Sequence, residues 1–277
     1  MIRWDVDPEI FRIGFIAIRW YSLLFMLAFV VGLYIFNWIY KKEHKPPQDL
    51  DTLLIYMLLG TVIGARLGHC LFYDPGYYLS HPIKILMVWE GGLASHGAAI
   101  GILIALWLYS KKKPDQPFFW ITDRIVITVA LAGSFIRLGN LFNSEIIGRP
   151  THVPWAFIFV RVDNIPRHPS QIYESLAYLI IFIILLMLYK KKGAETPRGQ
   201  LFGWFLILVF SFRFFVEFFK AVQEPFEAHL PLDMGQLLSI PLVLLGIYIL
   251  SRQGKWEADK ITRSVKEKPS PKERPKK

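Results

Sequence analysis

Seven stretches of this 277-residue chain approach the roughly 20 residues an α-helix needs to cross a hydrocarbon layer about 30 Å thick, and no other feature limits the fold as sharply. In such a layer each backbone N–H and C=O must be paired within the protein, which favours helices for runs of this length. Trp20 to Tyr40, Gly91 to Ser110 and Met234 to Leu250 carry no charge, and Ser175 to Tyr189 becomes long enough when extended back past Glu174. Three further runs are interrupted. Thr52 to Tyr73 contains Arg66, Leu201 to Phe219 contains Arg213 and Glu217, and Phe118 to Asn140 contains Asp123, Arg124 and Arg137. Charges inside a bilayer are expensive, so these three runs are where function is first sought. Composition agrees with the runs: 53% apolar residues, with 22 Phe, 12 Tyr and 9 Trp, are too many for an ordinary soluble domain. The expected fold is an all-α membrane protein of seven transmembrane helices.

Lysine sets the orientation. Lys41, Lys42 and Lys45 follow the first run, Lys111 to Lys113 the third, Lys190 to Lys192 the fifth, and Arg252 with a lysine-rich tail the last. Basic clusters collect on the cytosolic side, which puts the N-terminus outside and the C-terminus in the cytosol, a parity that seven spans satisfy and six do not. The N-terminal segment does not read as a cleavable signal peptide, because acidic residues and a proline precede the first run. Residues 1–251 are therefore expected to form the membrane domain. Residues 252–277, with 10 basic and 4 acidic side chains and Pro269, Pro271 and Pro275, are expected to be a disordered cytosolic tail near anionic lipid.

The formal net charge of +10 would ordinarily raise nucleic acid as a partner. Divided between membrane sides, it no longer requires one. Of 18 lysines, 16 fall in the expected cytosolic segments, leaving Lys84 and Lys220, whereas nine of 14 arginines (Arg3, Arg12, Arg19, Arg66, Arg137, Arg149, Arg161, Arg167 and Arg213) lie in outer loops or within runs. Guanidinium is a planar fork that pairs with phosphate bidentately, so arginines near the outer leaflet point to an anionic headgroup. Pairing with carboxylates, or snorkelling to the interface, is the structural alternative for most of them. The lone cysteine, Cys70, excludes an intramolecular disulfide and a cysteine-rich zinc site, and it reads as packing. No metal and no cofactor is expected.

Four local patterns carry chemistry. Arg213 and Glu217 are four apart on one helix face and can pair. Arg137 and Asn140 share a face where a helix gives way to a loop with Asn143, Glu145 and Gly148, and so many polar groups at a membrane boundary need partners such as a phosphate or a glycerol. His96 stands among Gly91, Gly92, Ser95, Gly97, Ala98 and Gly101, small residues that permit close helix approach or leave room for a ligand. Finally His168, Pro169, Ser170, Gln171, Tyr173 and Glu174 open the fifth run, with Ser170 as the expected N-cap and Glu174 in the first turns, where the helix dipole favours a carboxylate.

Together these motifs resemble the bacterial prolipoprotein diacylglyceryl transferases. The resemblance rests on Arg137-Leu-Gly-Asn-Leu-Phe-Asn-Ser-Glu-Ile-Ile-Gly148, the Gly-Gly-x-x-x-His-Gly stretch ending at Gly97, the His168 to Glu174 segment, the Arg213 and Glu217 pair, and Trp20-Tyr21 opening the first helix. It runs from about Trp20 to Leu250. Ile136 and Leu141 depart from it, standing where the family usually has Gly and Phe, and Ala98 stands where many members repeat Gly. The resemblance implies an inner-membrane enzyme with a small periplasmic head after the fourth helix, about 141–167. It implies transfer of diacylglyceryl from phosphatidylglycerol to the lipobox cysteine of a prolipoprotein signal peptide, with release of glycerol phosphate.

For that reaction His96 is the expected base, histidine being the side chain that ordinarily titrates nearest neutral pH, and Arg137 and Arg213 are expected to bind the phosphate. Asn140, Asn143, Glu145 and Gly148 are expected around the glycerol, Tyr21 on a headgroup oxygen, and Glu217 behind Arg213. The competing class is a seven-helix transporter or channel for an anionic solute, which calls for repeats or a polar stripe continuing to the cytosolic side. Neither is visible, and His-Glu-x-x-His and Gly-x-Ser-x-Gly motifs are absent.

Overall fold

The computed structural model describes residues 1–14, 16–88, 91–221 and 231–266 and is mostly helical. In chain order the elements are β1 (Ile2–Trp4), β2 (Glu9–Ile13), β3 (Ile16–Arg19), α1 (Trp20–Lys42), α2 (Pro47–Phe72), α3 (Pro75–Ser80), α4 (Pro82–Leu86), α5 (Ser95–Lys112), α6 (Phe118–Asn143), β4 (Phe157–Phe159), β5 (Pro166–Arg167), α7 (Ser170–Lys192), α8 (Gln200–Val216) and α9 (Met234–Lys266). Six helices among the described residues are long and apolar enough to cross a membrane: α1, α2, α6, α7, α8 and α9. Large apolar side chains along the helices face outward, with Val30, Leu59, Ile104, Ile180 and Leu244 all more than half exposed. A contiguous apolar exterior of that kind is matched to lipid rather than to water.

The third expected run is shorter than the sequence pattern indicates. Gly91 and Gly92 take φ of +87° and +70°, a conformation only glycine adopts freely, so helix α5 begins at Ser95 and not at Gly91. Its 18 residues include His96 at one end and Lys111 and Lys112 at the other, which leaves it outside the six. At the other extreme α9 runs on to Lys266, so helical backbone occupies residues 252–266 of the expected tail. Residues 267–277 lie outside the described residues.

Contacts divide the chain into two compact units, residues 36–122 and residues 1–35 with 123 onward. In the first unit α2 and α5 lie backbone to backbone. A Cβ on Gly97 would strike the carbonyl of Gly64 and come within 2.7 Å of Gly68 Cα, and one on Gly101 would strike the carbonyl of Gly60. Small residues at helical spacing on both helices permit this approach, and the gain is dispersion between backbones. Near the lysine-bearing end of α5, Gln116 donates to Asp49 Oδ2 (2.7 Å) and accepts from Tyr40 and Tyr109 (each 2.7 Å), all four side chains being buried. Lys113 pairs with the same aspartate, and Lys45 holds Asp115 at 2.7 Å, which keeps the Asp115 carboxyl below its usual range. Buried Arg66, a functional suspect by sequence, has a structural role: it donates to the carbonyls of Ile85 (3.0 Å), Lys84 and Gly91, tying down the segment ahead of α5.

In the second unit α8 and α9 meet closely at Gly203 and Gly246. Asp123, another suspect, is also structural. From α6 it accepts the backbone N–H of Gly199 (2.7 Å) and Phe202 (2.9 Å), satisfying two of the orphan donors at the start of α8. Arg124 lies over the Tyr189 ring.

Two small sheets qualify the all-α expectation. In one, β1 pairs in parallel with β4, which pairs antiparallel with β5; in the other, β2 and β3 form a hairpin. Strands of two to five residues give too little alternation to stand out in sequence. The three-stranded sheet packs on the end of α6, where Leu141, Phe157 and Phe159 are buried with Trp4 against them, and Trp4 Nε1 donates to the carbonyl of Leu141 at 3.0 Å. That packing fixes the direction in which the chain leaves α6.

Candidate active site

The last turns of α6 bring Arg137, Asn140 and Asn143 to one end of the helix, as the i, i+3 spacing requires. Arg137 Nη1 donates to Asn140 Oδ1 (3.3 Å), Asn140 Nδ2 to Glu145 Oε2 (3.1 Å), and Asn143 Nδ2 to Glu145 Oε1 (3.1 Å). Glu145 thus aligns both amides. The loop that returns it is strained, because Ser144 and Ile146 both take φ of +55°, a region a β-branched residue rarely enters. The following helix holds it in place: Ser170 Oγ donates to the carbonyl of Ile146 (2.8 Å) and Gln171 Nε2 to that of Glu145 (2.6 Å). Ser170 is therefore not the N-cap of α7. That position is Pro169, and the serine hydroxyl is committed to the loop instead.

Glu174, fully buried one turn further along α7, faces Arg137, with Oε2 3.2 Å from Nε, close in distance but not aligned as a hydrogen bond. Its other oxygen is 3.8 Å from Lys220 Nζ and 3.4 Å from the Tyr178 hydroxyl. On α8 and the 3₁₀ turn after it, Arg213 and Glu217 face each other as their spacing indicates, Nε to Oε1 3.6 Å. The shorter contact of that same oxygen is with Lys220, at 2.9 Å. Arg137 and Arg213 both act electrostatically on Tyr178, and Glu217 acts on Arg137, so the two arginines belong to one cluster.

Gly148 serves close approach. It forms an antiparallel bridge with Lys220, its N–H donates to the carbonyl of His168 (3.0 Å), and a Cβ there would strike that carbonyl and lie 2.8 Å from the carbonyl of Phe219. Tyr21, at the start of α1, packs against Gly139, where any Cβ would sit 2.7 Å from its ring. The fields of Glu145 and Arg137 both reach it. Trp20 stacks on Phe142 at 4.9 Å. His168 Nδ1 lies 3.1 Å from the Tyr173 hydroxyl, and burial holds its imidazole below the ordinary range. Of five buried side-chain atoms without a hydrogen-bond partner among the described residues, four are here: Asn143 Oδ1, Ser144 Oγ, Gln171 Oε1 and Glu174 Oε2.

His96 belongs to the other unit. It is exposed in the first turn of α5, stacked on Tyr73 (5.8 Å) and edge-on to Phe72 (5.5 Å). Among the described residues no cluster of His, Cys, Asp and Glu could hold a metal ion. The sequence pattern marked neither Lys220 nor Tyr178 as a site residue, and it marked Gln171 only as part of the segment that opens the fifth run. The first had a signal, as one of two lysines outside the cytosolic clusters.

A family model for prolipoprotein diacylglyceryl transferase matches residues 8–252. The chain belongs to the prolipoprotein diacylglyceryl transferase family. Among curated relatives, the phosphatidylglycerol–prolipoprotein diacylglyceryl transferase of Chloroherpeton thalassium is 52% identical over 254 residues, covering 92% of this chain and 95% of that protein. Those of Tolumonas auensis (49% over 258 residues, 93% and 100%) and Porphyromonas gingivalis (45% over 269 residues, 92% and 95%) are similar over comparable spans. Within this diacylglyceryl transferase family match lie both the arginine cluster and His96.

Proposed function

We propose that this chain transfers diacylglyceryl from phosphatidylglycerol to the lipobox cysteine of a prolipoprotein signal peptide. In this reading α5 is a seventh span, paired with α2 through the glycine stripe. The lysines at the ends of α1, α5 and α7 face the cytosol of a bacterial inner membrane, and the arginine cluster faces the outer leaflet. The segment between α6 and α7, with β1, is the small periplasmic head.

The observation that carries the reading is the pair of guanidinium groups at the ends of α6 and α8, backed by buried carboxylates at 3.2 and 3.6 Å rather than locked to them in aligned forks. Donors held near a carboxylate without being consumed by it suit a phosphodiester. The unpartnered acceptors Asn143 Oδ1 and Gln171 Oε1 suit the hydroxyls of a glycerol headgroup. Asn140, Asn143, Glu145 and Gly148 shape that pocket, Tyr21 holds a headgroup oxygen, and Glu217 orients Arg213.

In the reaction the substrate's cysteine sulfur forms a bond to a glycerol carbon while the bond from that carbon to a phosphate oxygen breaks, leaving glycerol phosphate. A free thiol titrates near 8.5, so a base or a cationic field is needed at neutral pH. His96 takes the thiol proton, and Arg137 and Arg213 stabilise the charge that develops on the leaving phosphate. Cys70, buried, takes no part.

The test is transfer of labelled lipid from phosphatidylglycerol vesicles to a lipobox peptide, scored as a thioether stable to mild base. Arg137→Ala and Arg213→Ala should each lose at least roughly a hundredfold in kcat. Near wild-type turnover in both would refute the phosphate assignment, and a full rate for His96→Gln at neutral pH would remove it as the base.

A further inference from the structure

Five charged side chains gather where α6 and α8 end and α7 begins: Arg137, Arg213 and Lys220 against Glu174 and Glu217. The first and fourth pair off, as do the second and fifth, which leaves Lys220 as a third cation. It is only 3% exposed. A lysine that deeply buried among apolar residues is costly unless its charge is used.

Its geometry shows what it competes for. Lys220 Nζ and Arg213 Nε address the same oxygen, Glu217 Oε1, and the lysine is closer, 2.9 Å against 3.6 Å. Lys220 also stands 3.8 Å from Glu174 Oε1, the oxygen turned away from Arg137. Its backbone is fixed by the signature loop: the Lys220 carbonyl accepts from Arg149 Nε (2.8 Å), Gly148 bridges to it, and Ala221 N–H donates to the carbonyl of Ile147 (3.1 Å). Arg213, by contrast, keeps 35% of its side chain exposed.

We infer that Lys220 is a positioning residue that occupies Glu217 and shares Glu174, so that the forks of Arg213 and Arg137 stay open for the phosphodiester of the lipid. Without it, two carboxylates face two guanidinium groups one to one. Bidentate closure of each pair is then favoured, and the lipid must break a charge-assisted pair before it can bind. With it, these five groups carry one net positive charge rather than none. The inference rests on the phosphate reading above.

The experiment uses the full chain in vesicles of phosphatidylglycerol at varied surface fraction, with a lipobox peptide as acceptor. Lys220→Met should raise KM for phosphatidylglycerol roughly tenfold or more while KM for the peptide stays within about twofold, and Lys220→Arg should restore the wild-type value. An unchanged lipid KM in Lys220→Met, an equal rise in both KM values, or failure of Lys220→Arg to rescue overturns the inference. Arg137→Ala and Arg213→Ala, run alongside, separate the two failures: if both retain full activity, the phosphate reading itself fails. Should Lys220→Met not accumulate folded, Lys220→Gln replaces it, with the same two KM values read against the same thresholds and Lys220→Arg as its rescue.

Discussion

Replacing Arg137 by lysine separates the charge of this side chain from its shape. Arg137 has Glu174 Oε2 at 3.2 Å from Nε, Asn140 Oδ1 at 3.3 Å from Nη1 and the Tyr178 side chain beside it, and of its five N–H groups some are still left to offer a ligand. An ammonium at the same place keeps the charge opposite Glu174 but is a point donor, so it cannot hold Asn140 and a phosphate in one plane. One lost charge-assisted hydrogen bond is worth about 1.5–3 kcal/mol, which corresponds to a fall of roughly ten- to over a hundredfold in kcat/KM for phosphatidylglycerol. Because Glu174 retains a counter-charge, folding should change by less than about 1 kcal/mol, whereas Arg137→Ala strips the fully buried carboxylate of its closest cation and should cost about 3–5 kcal/mol. The assay pairs thermal unfolding in detergent with lipid transfer in vesicles. A lysine variant with kcat/KM within twofold of wild type would refute the requirement for a fork. One that is as unstable as Arg137→Ala would show that the arginine is structural.

Three further outcomes follow from the packing and the titration of the molecule. Gly97→Ala places a Cβ against the Gly64 carbonyl and should lower the thermal stability of the α2 and α5 pair by about 1–3 kcal/mol, read by unfolding of the purified protein; no shift would contradict the backbone contact. Asp123→Ala removes the acceptor for Gly199 and Phe202 and should cost at least about 1 kcal/mol, while lipid KM in the surviving folded fraction stays the same. His168 has an imidazole pKa held below its unfolded value of 6.5, so the unfolded chain binds the extra proton first: stability rises with pH across that window and is lost as pH falls below about 6.5. His168→Gln should flatten that slope between pH 5 and 7 in thermal melts, and an unchanged slope would place the titration elsewhere.

How much of this was legible in the chain depends on the range over which each interaction acts. Hydrophobic run length is local, so six of seven expected spans appear as helices that begin within about five residues of their expected starts, although α9 continues past Leu250 to Lys266. The i, i+3 and i, i+4 relations of Arg137 with Asn140 and of Arg213 with Glu217 are local too, and both are realised. What the pattern could not carry is anything joined across long separations. β1 exists only because Ile2–Trp4 finds Phe157–Phe159, and Ser170 abandons the expected cap to hold the strained Ile146, 24 residues back. The partner of Asp123 lies 76 residues away, so a charge that looked functional in its own run turns out to cap another helix. Lys220 is the instructive case. Its i, i−3 relation to Glu217 was readable, but its effect depends on Glu174, on a different helix, and on a bridge to Gly148, 72 residues earlier. A basic residue that breaks the lysine rule of its own chain is thus worth treating as a member of the nearest arginine cluster, because burying that charge is tolerable only where carboxylates already gather to hold the arginines.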